Sequence, residues 1–194
     1  MPGTTFIQIL KHQASRRPQG LAYRCGDQLW TFADVERDTN RIANALTALG
    51  VGAGDRVAAL TKYHVDTLLL TLGAAKLGAV CMPVNWRLAP AEVQYIVEHG
   101  GAKLMMADRA FLPLVDLPAL PTIKQVVVTD GAHDGLPGFR DWYAGASEQF
   151  QAIDAQPEDP MLQLYSSGTT GLPKGVVLSH AGLIFNCQLG EGVW

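Results

Sequence analysis

Between Arg56 and Thr129 the chain alternates apolar, strand-like runs with helix-like stretches. Arg56 to Leu60, Ala79 to Val84, Lys103 to Ala107 and Gln125 to Thr129 read as strands that are apolar at consecutive positions. Val65 to Leu77 reads as a helix rich in Leu and Ala, Pro90 to His99 as one with Pro in its first turn, and Arg109 to Val115 as a shorter one. A strand with one wet face would alternate apolar and polar residues. These do not, so they predict an α/β fold with a mostly parallel sheet flanked by helices.

The flanking segments carry their own punctuation. Phe6, Ile9, Leu10 and Gln13 recur at helical spacing over residues 5–17, which end before Pro18. Leu21 to Cys25 and Gln28 to Phe32 surround Gly26-Asp27, a hairpin turn of the Gly-first type. Thr31 with Asp34 three residues on predicts a capped helix whose apolar face is Phe32, Val35, Thr39, Ile42, Leu46 and Leu49, closed by Gly50. Residues 130–160 turn rich in Gly, Pro, Asp and Ala, and read as a long surface connection with one short helix-like piece at 141–146. Met161 to Tyr165 then reads as a strand and Gly175 to Leu178 as its hairpin return. Ser179 is placed to cap a last helix from His180.

Composition narrows the classes. With 48% hydrophobic and 17% charged residues the chain forms a core and is not disordered. A net charge of −3 without a basic run argues against nucleic acid as a partner. Cys25, Cys81 and Cys187 lack metal or redox spacing and read as free, mostly buried thiols of a reducing compartment. The window Val65 to Val84 contains Asp66, Lys76, Gly78 and Pro83, so it predicts no membrane span. The N-terminus has no signal-peptide pattern, and a cytoplasmic location is expected.

The chemistry gathers in Tyr165-Ser166-Ser167-Gly168-Thr169-Thr170-Gly171-Leu172-Pro173-Lys174-Gly175. Glycines let the backbone N–H groups approach a ligand, short hydroxyls add donors, and a lone lysine with no acid nearby supplies a point charge for phosphate. The P-loop motif G-x-x-x-x-G-K-[ST] does not fit, because Lys174 follows Pro173 and precedes Gly175. The dinucleotide motif G-x-G-x-x-G also fails, since Gly168 and Gly171 have no glycine two residues earlier.

Ser166 to Gly175 resembles the phosphate loop of the adenylate-forming superfamily, which includes acyl- and aryl-CoA synthetases, peptide-synthetase adenylation domains and luciferases of the firefly type. Leu72 to Val80 and Pro83-Val84-Asn85-Trp86-Arg87-Leu88 resemble the corresponding segment of fatty-acyl-CoA synthetases, and Leu46 to Val57 fits their N-terminal portion. One departure is Ser166, where the family often has Thr. The resemblance implies that Ser166, Ser167, Gly168, Thr169, Thr170 and Lys174 contact the nucleotide, with Thr169, Thr170 and Lys174 acting on the reacting phosphates. It implies that Ser166 also touches Mg2+ and that Gly171, Pro173 and Gly175 shape the loop. The implied substrates are ATP, a small-molecule carboxylic acid (a fatty acid) and coenzyme A, and a homodimer is compatible with the family.

The resemblance places residues 1–194 as the N-terminal portion of a large AMP-binding domain, with the small C-terminal domain expected elsewhere. Nothing from Gly190 to Trp194 reads as a domain finish, and no thioester is expected from these residues alone. Two alternatives stand beside an acyl-CoA synthetase: an adenylation domain loading a carrier protein, and a non-catalytic nucleotide-binding module. Lys76 and Arg87 could be ligand contacts but read as solvated helix and loop charges, and Trp86 and Trp142 as packing residues. His12, His64, His99, His133 and His180 have neither metal spacing nor a carboxylate pattern, which leaves structural or surface roles.

Overall fold

The computed structural model describes residues 4–62, 64–166 and 172–191. Its centre is a six-stranded sheet in the order β6-β5-β3-β4-β7-β8. The strands are β3 (Arg56–Leu60), β4 (Val80–Pro83), β5 (Ala102–Ala107), β6 (Gln125–Val128), β7 (Pro160–Ser166) and β8 (Lys174–Ser179). All neighbours run parallel except β7 and β8, which form an antiparallel hairpin. A separate hairpin joins β1 (Leu21–Cys25) to β2 (Gln28–Thr31). Its turn has the expected chemistry: Gly26 takes φ 59° while Asp27 stays at negative φ.

Alternate residues of the parallel strands enter two cores, which is why the strands read as apolar throughout. Leu104 and Met106 of β5 join Val57, Cys81 and Val127 on one face. That face is covered by α1 (Phe6–Arg16), α2 (Phe32–Ala48), α3 (Val65–Ala75) and α5 (Phe139–Ala144). Met105 and Ala107 join Leu60, Met82 and Val126 on the other, under α4 (Pro90–Gly100) and the 3-10 turn Arg109–Leu114. Helix α2 starts with the predicted box: Asp34 N–H donates to Thr31 Oγ1 (3.1 Å) and Thr31 N–H to Asp34 Oδ2 (3.0 Å). Gly73 lets α3 lie against α2, because a Cβ there would come within 2.5 Å of Ile42 Cγ2.

Three expectations need correction. Lys76, read as a solvated charge, is only 2% exposed. Its ammonium is held by Glu36 Oε1 at 2.9 Å and by Asn40 Oδ1, because α3 is buried on almost every side and ends against α2. Of the three cysteines only Cys81 is buried, where desolvation pushes its thiol up to about 11; Cys25 and Cys187 are exposed. Cys25 lies on the small hairpin and Cys187 on α6 (His180–Glu191), both outside the central sheet. The 130–160 stretch is more than a surface connection. Its helix α5 inserts Phe139 and Tyr143 into the core, and Glu148 ties it to Arg41 of α2 at 2.6 Å.

Candidate functional site

The parallel strands fix where a ligand can bind. Helix α3 leaves the carboxyl end of β3 toward one face, and α4 leaves the carboxyl end of the adjacent β4 toward the other. Diverging connections open a crevice at the strand ends, the usual ligand position in an open α/β sheet. A cavity of about 890 Å3 lies there. Its lining includes Thr61, Lys62, His64 and Thr67 from the segment after β3, and Val84, Asn85, Trp86 and Arg87 from the one after β4.

Tyr165 of β7 also lines this cavity, so the β7–β8 connection leaves the sheet beside it. Ser166 pairs with Lys174 at the last rung of the hairpin, and both are exposed. The structure therefore brings together the two ends of the predicted phosphate loop. Ser167, Gly168, Thr169, Thr170 and Gly171 lie outside the described residues. Gly175 leaves room for the side chains packed over it. A Cβ there would meet Gln163 Nε2 at 2.6 Å and Tyr165 Cζ at 3.3 Å.

Among the described residues the lining carries Arg24, Lys62 and Arg87 and no carboxylate. Arg87 is exposed, as expected of a loop charge, and its guanidinium lies 4.4 Å over the Trp86 ring. Trp86 stacks on Phe111 at 5.3 Å, and Lys62 Nζ sits 5.0 Å over the same indole. Trp142 packs against Phe139, as a packing residue should. A largely apolar cavity with cationic side chains in its lining suits an amphiphilic anion. Strand-end position in an α/β sheet was the available signal for Thr61 and Lys62, which sequence reasoning passed over, and for His64, which it read as structural or surface.

His64 also corrects the expectation that no histidine has a carboxylate neighbour. Asp66 is fully buried, with Oδ1 accepting from Arg140 Nε and Nη2 at 3.2 Å each. His64 Nδ1 lies 3.1 Å from Asp66 Oδ2 and 3.2 Å from the Asp66 backbone nitrogen. It can serve one at a time. Neutral, Nδ1 accepts from the N–H and caps α3; protonated, it donates to Oδ2, which otherwise accepts no hydrogen bond. The hydrogen bond to Asp66 raises the His64 pKa.

Among the described residues no group of three or more His, Cys, Asp or Glu could hold a metal ion, and no helix is long and apolar enough to cross a membrane. The family model that matches is that of AMP-binding enzymes, over residues 10–193. The chain is 39% identical over 178 residues to a fatty acid–[acyl-carrier-protein] ligase of Streptomyces coeruleorubidus, covering 91% of this chain and 33% of that protein. It is 36% identical over 174 residues to a long-chain-fatty-acid–CoA ligase of Mycobacterium tuberculosis, covering 89% and 34%. It thus spans about a third of the length of these curated relatives. Among solved structures, an anthranilate CoA ligase in complex with anthranoyl-AMP superposes with a TM-score of 0.88 at 32% identity, over 97% of this chain and 37% of that one. A matched family model over nearly the whole chain and a closely superposing fold agree: the chain belongs to the AMP-binding enzyme family.

Proposed function

We propose that the chain supplies the ATP-phosphate loop of an acid–thiol ligase acting on a fatty acid. The observation that carries this reading is the loop's place: its feet, Ser166 and Lys174, stand at the carboxyl edge of the parallel strands, beside a cavity lined in part by Arg24, Lys62 and Arg87. In the proposed reaction a carboxylate oxygen attacks the α-phosphorus of ATP, the bond to the bridging oxygen breaks, and pyrophosphate leaves. A thiol sulfur then attacks the acyl carbonyl, losing its proton, and AMP departs. Ser166, Ser167, Gly168, Thr169, Thr170 and Lys174 would hold the β- and γ-phosphates and stabilise charge gathering on the departing pyrophosphate. Gly171, Pro173 and Gly175 would shape the turn.

Mg2+ fits this donor set through ATP rather than through a protein cage. The cation prefers oxygen ligands and keeps substrate phosphates among them. The Ser166 hydroxyl, at the foot of the loop, is the described protein oxygen suited to join them.

Fatty-acid use rests on the two relatives named for it, at 39% and 36% identity. The acceptor has two readings. Coenzyme A follows from the mycobacterial relative, and a carrier protein from the Streptomyces one. ATP–pyrophosphate exchange by the native protein, run against fatty and aromatic acids, tests the assignment. Exchange that depends on a fatty acid is the expected result; no exchange with any acid would overturn it.

A further inference from the structure

A chain of polar side chains runs along one face of β7 to the foot of the phosphate loop. Arg56 Nε, at the start of β3, donates to Gln163 Oε1 at 3.0 Å. Gln163 Nε2 donates to Tyr165 Oη at 3.0 Å. Tyr165 Oη and His99 Nδ1 are 2.7 Å apart, and the His99 ring lies edge-on to Tyr165 and stacked with Tyr95 at 5.3 Å. Gln163 is buried among these contacts, and Tyr165 is half-buried.

The position of this relay gives it leverage. Tyr165 immediately precedes Ser166 and pairs across the hairpin with Gly175, which immediately follows Lys174. Gly175 has no side chain, and the space above it is taken by Gln163 and Tyr165. Neighbouring residues of a strand point to opposite faces, so Ser166 and Lys174 are set on the face away from the relay. Arg56 of β3, acting through Gln163 of β7, and His99 of α4 therefore hold Tyr165, which stands beside the two feet of the loop.

We infer that His99 and Tyr165 are positioning residues for the nucleotide phosphates: their hydrogen bond holds the base of the loop at the spacing and tilt at which Ser166 and Lys174 meet ATP. The inference rests on the proposed ATP-phosphate role of the loop. It assigns a function to residues that touch no phosphate, one of which lies 66 positions before the loop.

The test is ATP–pyrophosphate exchange by the native protein carrying Tyr165→Phe, His99→Ala or His99→Asn, with thermal unfolding followed in parallel. His99 is exposed, so its variants are expected to fold. Losing one hydrogen bond of ordinary strength predicts a rise in KM for ATP of about three- to tenfold. KM for the acid should stay unchanged, and His99→Asn, which restores a polar atom near the Nδ1 position, should recover most of the loss. The pair Tyr165→Phe with His99→Ala should be no worse than Tyr165→Phe alone, since that change already removes the His99–Tyr165 bond. Unchanged KM for ATP in both single variants, beside a rise in Lys174→Ala, would overturn the relay and leave the loop assignment standing. If Lys174→Ala were silent as well, both would fall.

Discussion

Strands β3, β4 and β5 are covered on both faces, while the β8 edge of the same sheet leaves Val176 and Val177 47% and 45% exposed. The first region is held by apolar contact from all sides. The hairpin β7–β8 is held by ladder hydrogen bonds, a polar relay and one flank of neighbours. Stability and the proposed ligand contact thus fall to different parts of one sheet. Substitutions in the centre should unfold the chain, and substitutions at the loop feet should impair chemistry in a chain that still folds.

The largest effect that would sharpen this contrast is in the centre. Ile42 is fully buried against Gly73, and Ile42→Ala should cost about 2–5 kcal/mol of stability. Urea unfolding measures it, and a loss well under 1 kcal/mol would show that α2 and α3 are less tightly joined than described. Next comes Lys76. Burial lowers its pKa, with Glu36 pulling the other way. Lys76→Ala should cost up to about 3 kcal/mol, the low end for breaking a buried pair, because Glu36 retains some access to water. Lys76→Met, which keeps the stem but still leaves Glu36 unpaired, should recover only the packing part of that loss. Equal losses in the two variants would mean that the pair itself, and not packing, holds α2 to α3.

The smallest effect separates the two regions by pH. His64, beside the buried Asp66, has a raised pKa, so its contribution is present below the unfolded value near 6.5 and is lost as pH rises through the folded one. Arg140 opposes this rise and Asp108 supports it. His180, buried next to Phe6 at the start of α6, has its pKa lowered by desolvation. Its contribution is present above about 6.5 and is lost as pH falls. His64→Asn keeps a helix cap and removes the titration. It should reduce the stability lost on going from pH 6 to pH 8, and a pH profile identical to that of the parent chain would sink the His64 assignment.

Much of this arrangement was readable from local pattern. The consecutive apolar residues of β3 and β5, the Thr31–Asp34 cap and the Gly26 turn all behave as their sequences imply. Local signals report on backbone choices made within a few residues. They say nothing of partners far along the chain. Lys76 meets Glu36 at a separation of 40 residues, and Arg140 reaches Asp66 across 74. Only the assembled helices bring those charges together, so the burial of Lys76 and the setting of His64 could not be read from spacing. The loop itself was legible as chemistry, because its glycines, hydroxyls and lysine are adjacent. Its support was not, because Arg56, Gln163 and His99 come from three elements.

The central claim is that the feet of the β7–β8 loop serve ATP phosphates and contribute little to folding. ATP–pyrophosphate exchange and thermal unfolding, measured together for the native protein and Lys174→Ala, address it most directly. Lys174 is exposed, so the unfolding midpoint should stay within a degree or two, about the effect of a neutral surface change. The barrier to exchange should rise by about 2–4 kcal/mol, as for the loss of one preorganised donor. Exchange at the parental rate in a well-folded Lys174→Ala would contradict the account.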